Sequence, residues 1–296
     1  MDDAAQITKL CGKGDETIRH GKVGLYKPTI PKSLNNKVQR VMGLDPGVCN
    51  LFTGITNIDG VRPFIISGSD LSAINRKYDK LTSILQQKLK KIRKLESSLR
   101  LKRLWNRRNC KIDCIIKLVA KRIIDYAIGH KIDKIIIGYN KGWKSKVNLG
   151  KQNNRKFYQI PYSKLVKALF NKGEENSILV VENNESYTSK MDSLSLESHE
   201  NCIKRCKSKE FVKKRIYRGL YKSSTGKLIN ADVNGALNII RKHVDKENPY
   251  LVDNINKYIK SNHSTILTPI KFKINILEKN KSAWDAQWVT NAVCLD

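Results

Sequence analysis

The sequence predicts an α/β fold, a mixed sheet covered by helices, and three observations carry that expectation. Strand-like apolar runs at 38–44, 51–58 and 61–66 follow one another directly, and Asp59-Gly60 between the second and third is a hairpin signal. A long stretch with apolar residues every three or four positions comes next. Beyond it, strand-like and helical runs alternate: Ile135-Ile136-Ile137, a helical period over 162–170, a short run at 178–181, and a final amphipathic helix from about residue 230. Three strands, helices, strand, helix, strand, insert and helix are most economically packed as one sheet with helices on its faces.

Residues 1–36 are polar and glycine-bearing, with Pro28 and Pro31 interrupting any continuous element, and read as loop or short edge strand. The first strand runs into Asp45-Pro46-Gly47, a tight turn that leaves Asp45 at the strand's C-terminal end. The seam Leu71, Ile74, Tyr78, Leu81, Leu85, Leu89, Ile92, Leu95 and Leu99 predicts one long helix, and Ile115, Leu118, Val119, Ile123 and Tyr126 a second that returns antiparallel to it. Ile135-Ile136-Ile137 reads as a strand buried on both faces. Residues 141–155 read as basic loop, and 191–229 as a charged, turn-rich insert with little core of its own. In the tail, a strand is expected near 270–276, and Trp284 and Trp288, one helical turn apart, are expected to pack on the core.

Charge narrows the function. The 57 Lys and Arg against 27 Asp and Glu give a formal net charge of +30. Such a chain is built to sit on a polyanion, and nucleic acid is the default partner, because neutralising phosphates releases condensed counterions. The excess is concentrated in residues 76–122, where 17 Lys and Arg face three acidic residues. Within it, Trp105 stands among Lys102, Arg103, Arg107 and Arg108, a stacking platform in a phosphate-tracking surface. No apolar run approaches the roughly 18 residues of a membrane span, and the N-terminus lacks a basic-then-apolar signal pattern, so an intracellular protein found with DNA is expected. Seven cysteines in no framework spacing argue against a disulfide scaffold. Cys110 and Cys114, one turn apart, are expected to be small buried residues. His199, Cys202 and Cys206 lack a second cysteine pair, so zinc is not expected.

The final helix opens on Asn230-Ala231-Asp232, with Val233, Ala236, Leu237 and Ile240 on one face and Gly235 permitting close backbone approach. Asp232 stands where an Asp commonly caps a helix. Acidic residues also stand at the end of the first strand and after the fifth. Convergence of three such carboxylates at one sheet edge would suit two Mg²⁺ or Mn²⁺ ions roughly 3.5–4 Å apart for phosphodiester cleavage, hard cations that prefer oxygen ligands.

Five stretches carry a resemblance. GLDPGV at 43–48, IIIGYNKGWK at 135–144, NESYTSK at 184–190, RIYRGLYKSSTGKLINAD at 215–232 and NADVNGALNIIRK at 230–242 together resemble the RuvC-like core of transposon-encoded TnpB nucleases, and more closely their Fanzor relatives. The resemblance implies an RNase H-like fold, a guide RNA, and RNA-guided, metal-dependent cleavage of target DNA by a monomeric ribonucleoprotein. Asp45 resembles the first catalytic and metal-binding carboxylate and Asp232 the third. Most TnpB proteins end the fourth strand in a catalytic Glu, where this chain has Gly138. Fanzor-like proteins resemble this arrangement, which points to Glu185 in preference to Glu182. Asn234 and Asn238 resemble supporting residues, while Lys190, Arg215 and Arg218 join Lys102, Arg103, Trp105, Arg107 and Arg108 as expected nucleic-acid contacts.

The implied organisation is a short N-terminal remnant at 1–37 of the wedge and recognition region, a nuclease core at 38–190 with its helical insertion at 70–130, and a target-nucleic-acid-binding insert at 191–229. The last core helix at 230–242 and a tail at 243–296 follow. The insert departs from the family at Met191-Asp192-Ser193-Leu194-Ser195, where a cysteine ribbon is expected, so it reads as a degenerate zinc ribbon. Two alternatives stay open: an RNA-guided binder that does not cut, and a guide-free nuclease of RNase H type.

Overall fold

The computed structural model describes residues 39–93, 96–139, 159–208, 215–217, 219–247 and 249–274 of the chain. Three strands open it, β1 (Val41–Pro46), β2 (Asn50–Thr56) and β3 (Phe64–Ser67), followed by the helices α1 (Ser69–Arg93) and α2 (Leu99–Gly129). Next come β4 (Lys134–Gly138), α3 (Tyr162–Glu175) and β5 (Leu179–Asn183). The insert holds α4 (His199–Lys207), β6 (Arg215–Tyr217), β7 (Leu220–Lys222) and β8 (Leu228–Asn230). Last are α5 (Ala231–Glu247), α6 (Pro249–Ser261), the single turn α7 (His263–Ile266) and β9 (Ile270–Phe272).

The main sheet has the order β5-β4-β1-β2-β3-β9. β2 is antiparallel to β1 and β3, whereas β4 runs parallel to β1 and β5 parallel to β4. This is the RNase H-like mixed sheet that the motifs imply. Leu44 pairs with Ile137, so Asp45 and Gly138 follow side by side at the C-terminal ends of two parallel strands.

Side-chain alternation along the strands builds two cores. Met42, Leu44, Ile135 and Ile137 join α2 and α3 on one face, through Ile115, Val119, Ile123, Leu165 and Leu169. Val41, Ile55 and Ile136 join α5 and α6 on the other. The predicted apolar face of α5 is fully used: Val233, Ala236, Leu237 and Ile240 are at most 1% exposed. Burying each of the larger aliphatic side chains contributes about 1.5–3 kcal/mol. The position of α5, and of Asp232 in its first turn, is therefore fixed by core packing.

Four expectations need correction. The long seam is two helices: Ser98 accepts the Leu101 N–H at 3.2 Å and starts a new helix, so Leu99 and Trp105 belong to α2. Its distal positions do not pack, since Ile92 and Leu99 are exposed. Cys110 and Cys114 are also exposed, because the buried stripe of α2 runs through Ile112, Ile115, Ile116 and Val119. The insert is better ordered than its composition suggests. β6, β7 and β8 form a three-stranded sheet, and buried Asp192 accepts hydrogen bonds from the Ser223 and Ser224 hydroxyls at 2.8 and 3.0 Å, tying the two ends of the insert together.

In the tail, β9 is the expected strand and pairs in parallel with β3. Trp284 and Trp288, the strand's continuation to residue 276, the basic loop at 141–155 and residues 1–37 lie outside the described residues. Among the described residues no helix is long and apolar enough to cross a membrane.

Candidate active site

Asp45 reaches the site from the end of β1, on the face covered by α5. A Cβ on Gly235 would stand 2.5 Å from Asp45 Oδ2, so only glycine lets the first turns of α5 come this close to the carboxylate. On the opposite side, the buried Tyr162 donates its hydroxyl hydrogen bond to the Gly47 carbonyl at 2.5 Å, pinning the turn that follows Asp45.

Asp232 is not the cap of its helix. The Asn230 side-chain oxygen accepts the N–H groups of Asp232 and Val233 at 3.0 and 3.2 Å, taking the N-cap role. The Asp232 carboxylate is left for other work. Its Oδ2 accepts a hydrogen bond from Asn50 Nδ2 at 2.7 Å, and its Oδ1 lies 3.8 Å from Arg215 Nη2.

The two candidate glutamates separate cleanly. On β5, Val180 packs into the α2/α3 core, while Asn183 donates to the Ile239 carbonyl of α5 at 3.2 Å. Glu182 shares the parity of Val180, so its exposed side chain is on the face away from α5 and Asp45. Glu185 lies in the turn beyond the strand, and its Oε2 is 3.3 Å from the point where a side chain on Gly138 would begin. A Cβ at Gly138 would itself collide with the Ile239 side chain. The turn is clamped from α5: Lys242 Nζ donates to the Ser186 carbonyl at 2.9 Å and Asn238 Nδ2 to the Thr188 carbonyl at 3.0 Å. Asn234 accepts from the Ser193 N–H and hydroxyl at 3.1 and 2.8 Å and donates to the Met191 carbonyl. Both asparagines thus brace the chain beside the carboxylates.

Glu185 and Asp232 are both close enough to act on Asp45. Burial, then the charges of Glu185 and Asp232, hold the Asp45 carboxyl well above the ordinary carboxylate range, and Arg215 opposes that rise. Burial pushes Glu185 up to about 7, against the pull of the Lys242 ammonium. Among the described residues no three His, Cys, Asp or Glu side chains close into a ready-made metal cage.

The expected nucleic-acid contacts divide. Lys102, Arg103, Trp105 and Arg107 are exposed on α2. Arg108 is half-buried and is used within the hairpin, donating to Asn75 Oδ1 at 3.0 Å and Asn109 Oδ1 at 3.1 Å. Lys190 is exposed, with its ammonium 5.6 Å from the Tyr187 ring centroid. Arg215 faces the carboxylates, and Arg218 lies outside the described residues. Sequence reasoning missed Asn50, Tyr162 and Lys242. None has a local signal, since each acts across a long sequence separation.

Two family models match adjacent parts of the chain. Residues 26–144 match OrfB_IS605, described as "Probable transposase", and residues 162–239 match the Cas12f1-like TNB domain. Solved structures agree on the fold. It is similar to a chain in the cryo-EM structure of the Cas12f1-sgRNA-target DNA complex, with a TM-score of 0.51 and 23% identity over 72% of this chain and 50% of that one. It is also similar to a chain of the CRISPR-Cas12f ternary complex, with a TM-score of 0.50 and 22% identity over 71% of this chain and 40% of that one. The chain therefore spans half or less of the length of these solved relatives. No curated protein matches it.

Proposed function

We propose that this chain is a transposon-associated, RNA-guided DNA endonuclease whose phosphodiester hydrolysis is carried out at Asp45, Glu185 and Asp232. The observation that carries the reading is the placement of these carboxylates, brought from β1, the turn after β5 and the first turn of α5 to one end of the sheet, where the charges of Glu185 and Asp232 both act on Asp45. The donor set fits divalent cations. All three groups offer hard oxygens, and the Asp45 and Glu185 carboxyls, the first raised by burial and its acidic neighbours and the second by burial, would be relieved by a positive charge beside them. Mg²⁺ or Mn²⁺ bound to these three residues would supply activation of water and stabilisation of the leaving 3′ oxygen.

The remaining contributions come from this chain's own side chains. Asn50 fixes one oxygen of Asp232 and so orients the other. Gly235 and Tyr162 set the approach of Asp45, while Lys242 and Asn238 hold the Glu185 turn. The basic face of α2 would grip the guide–target duplex by its backbone, with base pairing reading the sequence. The similarity to a chain of the Cas12f1-sgRNA-target DNA complex supports those two partners.

The test is to purify the chain from cells that also express its flanking DNA, sequence the bound RNA, and assay Mg²⁺-dependent cleavage of matching DNA beside Asp45→Ala, Glu185→Ala and Asp232→Ala. A defined RNA with cutting abolished in all three variants supports the proposal. RNA without cutting makes the chain a guided binder, and cutting of hybrid substrates without RNA makes it a guide-free nuclease.

A further inference from the structure

We propose that Thr53 is a positioning residue for Asp45: its buried hydroxyl donates a hydrogen bond to the Asp45 carboxylate in the ionised form that holds divalent cations. The inference rests on the nuclease reading above and deepens it, giving a role at that site to a strand residue outside the carboxylate set.

Three observations support it. The first is register. On the ladder between β1 and β2, Thr53 stands directly opposite Asp45. Residues so paired have Cβ atoms about 4.5–5.5 Å apart, within reach of a hydroxyl-to-carboxylate hydrogen bond. Both side chains are on the face covered by α5: Gly235 of that helix approaches Asp45, and Ile55, two residues beyond Thr53, belongs to the core beneath it. The second is an unspent donor. Thr53 is fully buried, and its Oγ1 has no hydrogen-bond partner among the described residues. Leaving a buried hydroxyl without a partner is destabilising, and a valine of the same shape would fill this strand position without that cost. Packing alone therefore explains the threonine poorly. The third is the use of the same strand for the other aspartate. Asn50 of β2 donates to Asp232 Oδ2 at 2.7 Å, so β2 supplies a donor to one carboxylate and sets a second donor opposite the other. Thr56 gives the contrast. It too is buried with an unpartnered Oγ1, but it pairs with Met42, whose side chain belongs to the core on the opposite face of the sheet. The hydroxyl matters at 53 because of what stands across the ladder from it.

The experiment compares the full-length ribonucleoprotein with its Thr53→Val, Thr53→Ser and Thr56→Val variants in two assays. The first is the Tm, followed by tryptophan fluorescence, in chelator and with Mn²⁺. The second is the Mn²⁺ concentration that gives half-maximal single-turnover cleavage of a matching duplex. Thr53→Val should melt no lower than the unaltered protein in chelator, because the group it removes has no partner there. Its Tm should rise less on adding Mn²⁺, and its Mn²⁺ requirement should increase by about 10–100-fold. Thr53→Ser should melt lower, because a buried methyl is gone, yet keep its Mn²⁺ requirement within about threefold. Thr56→Val should match the unaltered protein in its response to Mn²⁺. A role in packing alone would give Val and Ser the reverse order. The proposal is overturned if Thr53→Val keeps its Mn²⁺ requirement and Mn²⁺-induced Tm rise within about twofold of the unaltered protein, or if Thr53→Ser or Thr56→Val loses as much as Thr53→Val. If the unaltered ribonucleoprotein neither responds to Mn²⁺ nor cuts, the nuclease reading itself fails and takes this proposal with it.

Discussion

Glu185 carries its carboxylate to the space above Gly138, with Oε2 3.3 Å from where a Gly138 side chain would start. A residue after the fifth strand thus serves a position at the end of the fourth. The missing side chain at 138 makes room for Ile239 and for a carboxylate arriving from elsewhere. Glu185→Gln should lower cleavage by about 100-fold or more, above the 10–100-fold typical of losing a supporting partner. Glu182→Gln, on the other face of the sheet, should stay within twofold of the unaltered protein. Equal losses in parallel single-turnover assays would remove Glu185 from the site.

Asn230 and Asn50 should give opposite signatures. Asn230→Ala removes the N-cap and should lower stability by about 1 kcal/mol, read from denaturant midpoints. Asn50→Ala frees one Asp232 oxygen and should leave stability nearly unchanged while weakening Mn²⁺ affinity or cleavage by about 10–100-fold. Reversed signatures would mean that Asp232 and Asn230 have each other's roles.

The raised carboxyls make stability fall with rising pH when no divalent cation is present. Glu185 binds its proton more tightly in the fold than in the unfolded chain, with a folded value of about 7. Its contribution is thus fully present below the unfolded value near 4.3 and is lost as pH climbs through 7. In chelator, the Tm of the unaltered protein should drop more between pH 5 and 8 than that of Glu185→Gln. Mg²⁺ should raise Tm at pH 8 far more than at pH 5. Identical slopes for the two proteins would show that Glu185 is not under this strain.

The basic hairpin makes a fourth prediction. Replacing Lys102, Arg103 and Arg107 by Ala should leave Tm unchanged and make nucleic-acid binding less sensitive to salt. The slope of log affinity against log salt should shrink by about 0.9 for each phosphate that is no longer neutralised. Arg108→Ala should instead lower Tm, because that guanidinium ties α2 to Asn75 of α1. Salt titrations and melting curves of the four variants decide between gripping and bracing.

The fold was legible where apolar periodicity was strong. The α5 face and the buried β4 were set by sequence because a hydrophobic pattern has one way to point inward. The break between α1 and α2 was obscured because Leu95 and Leu99 continue the spacing across a serine cap, so period alone does not reveal the restart. The insert was misjudged for a different reason. Part of its order comes from Asp192, Ser223 and Ser224, polar residues whose pattern carries no hydrophobic signal. At the site, Asp45, Glu185 and Asp232 were chosen through motifs, whereas Asn50, Tyr162 and Lys242 become visible only once distant strands and helices are packed.

The pairing of β9 with β3 bears on the order in which the molecule can be completed. β3 exposes a row of unpaired backbone groups until residues 270–272 arrive, and nearby links also wait for the tail: Gly60 N–H to Asn262 Oδ1 at 3.0 Å, Asn262 Nδ2 to Asp59 Oδ1 at 2.6 Å, and Arg62 Nε to the Thr268 carbonyl at 2.7 Å. During synthesis the three carboxylates are all in place once α5 emerges, while the sheet still has an open edge able to recruit a strand from another chain. A nascent or clipped chain ending after α5 would therefore carry its whole set of acidic groups and still be prone to aggregate.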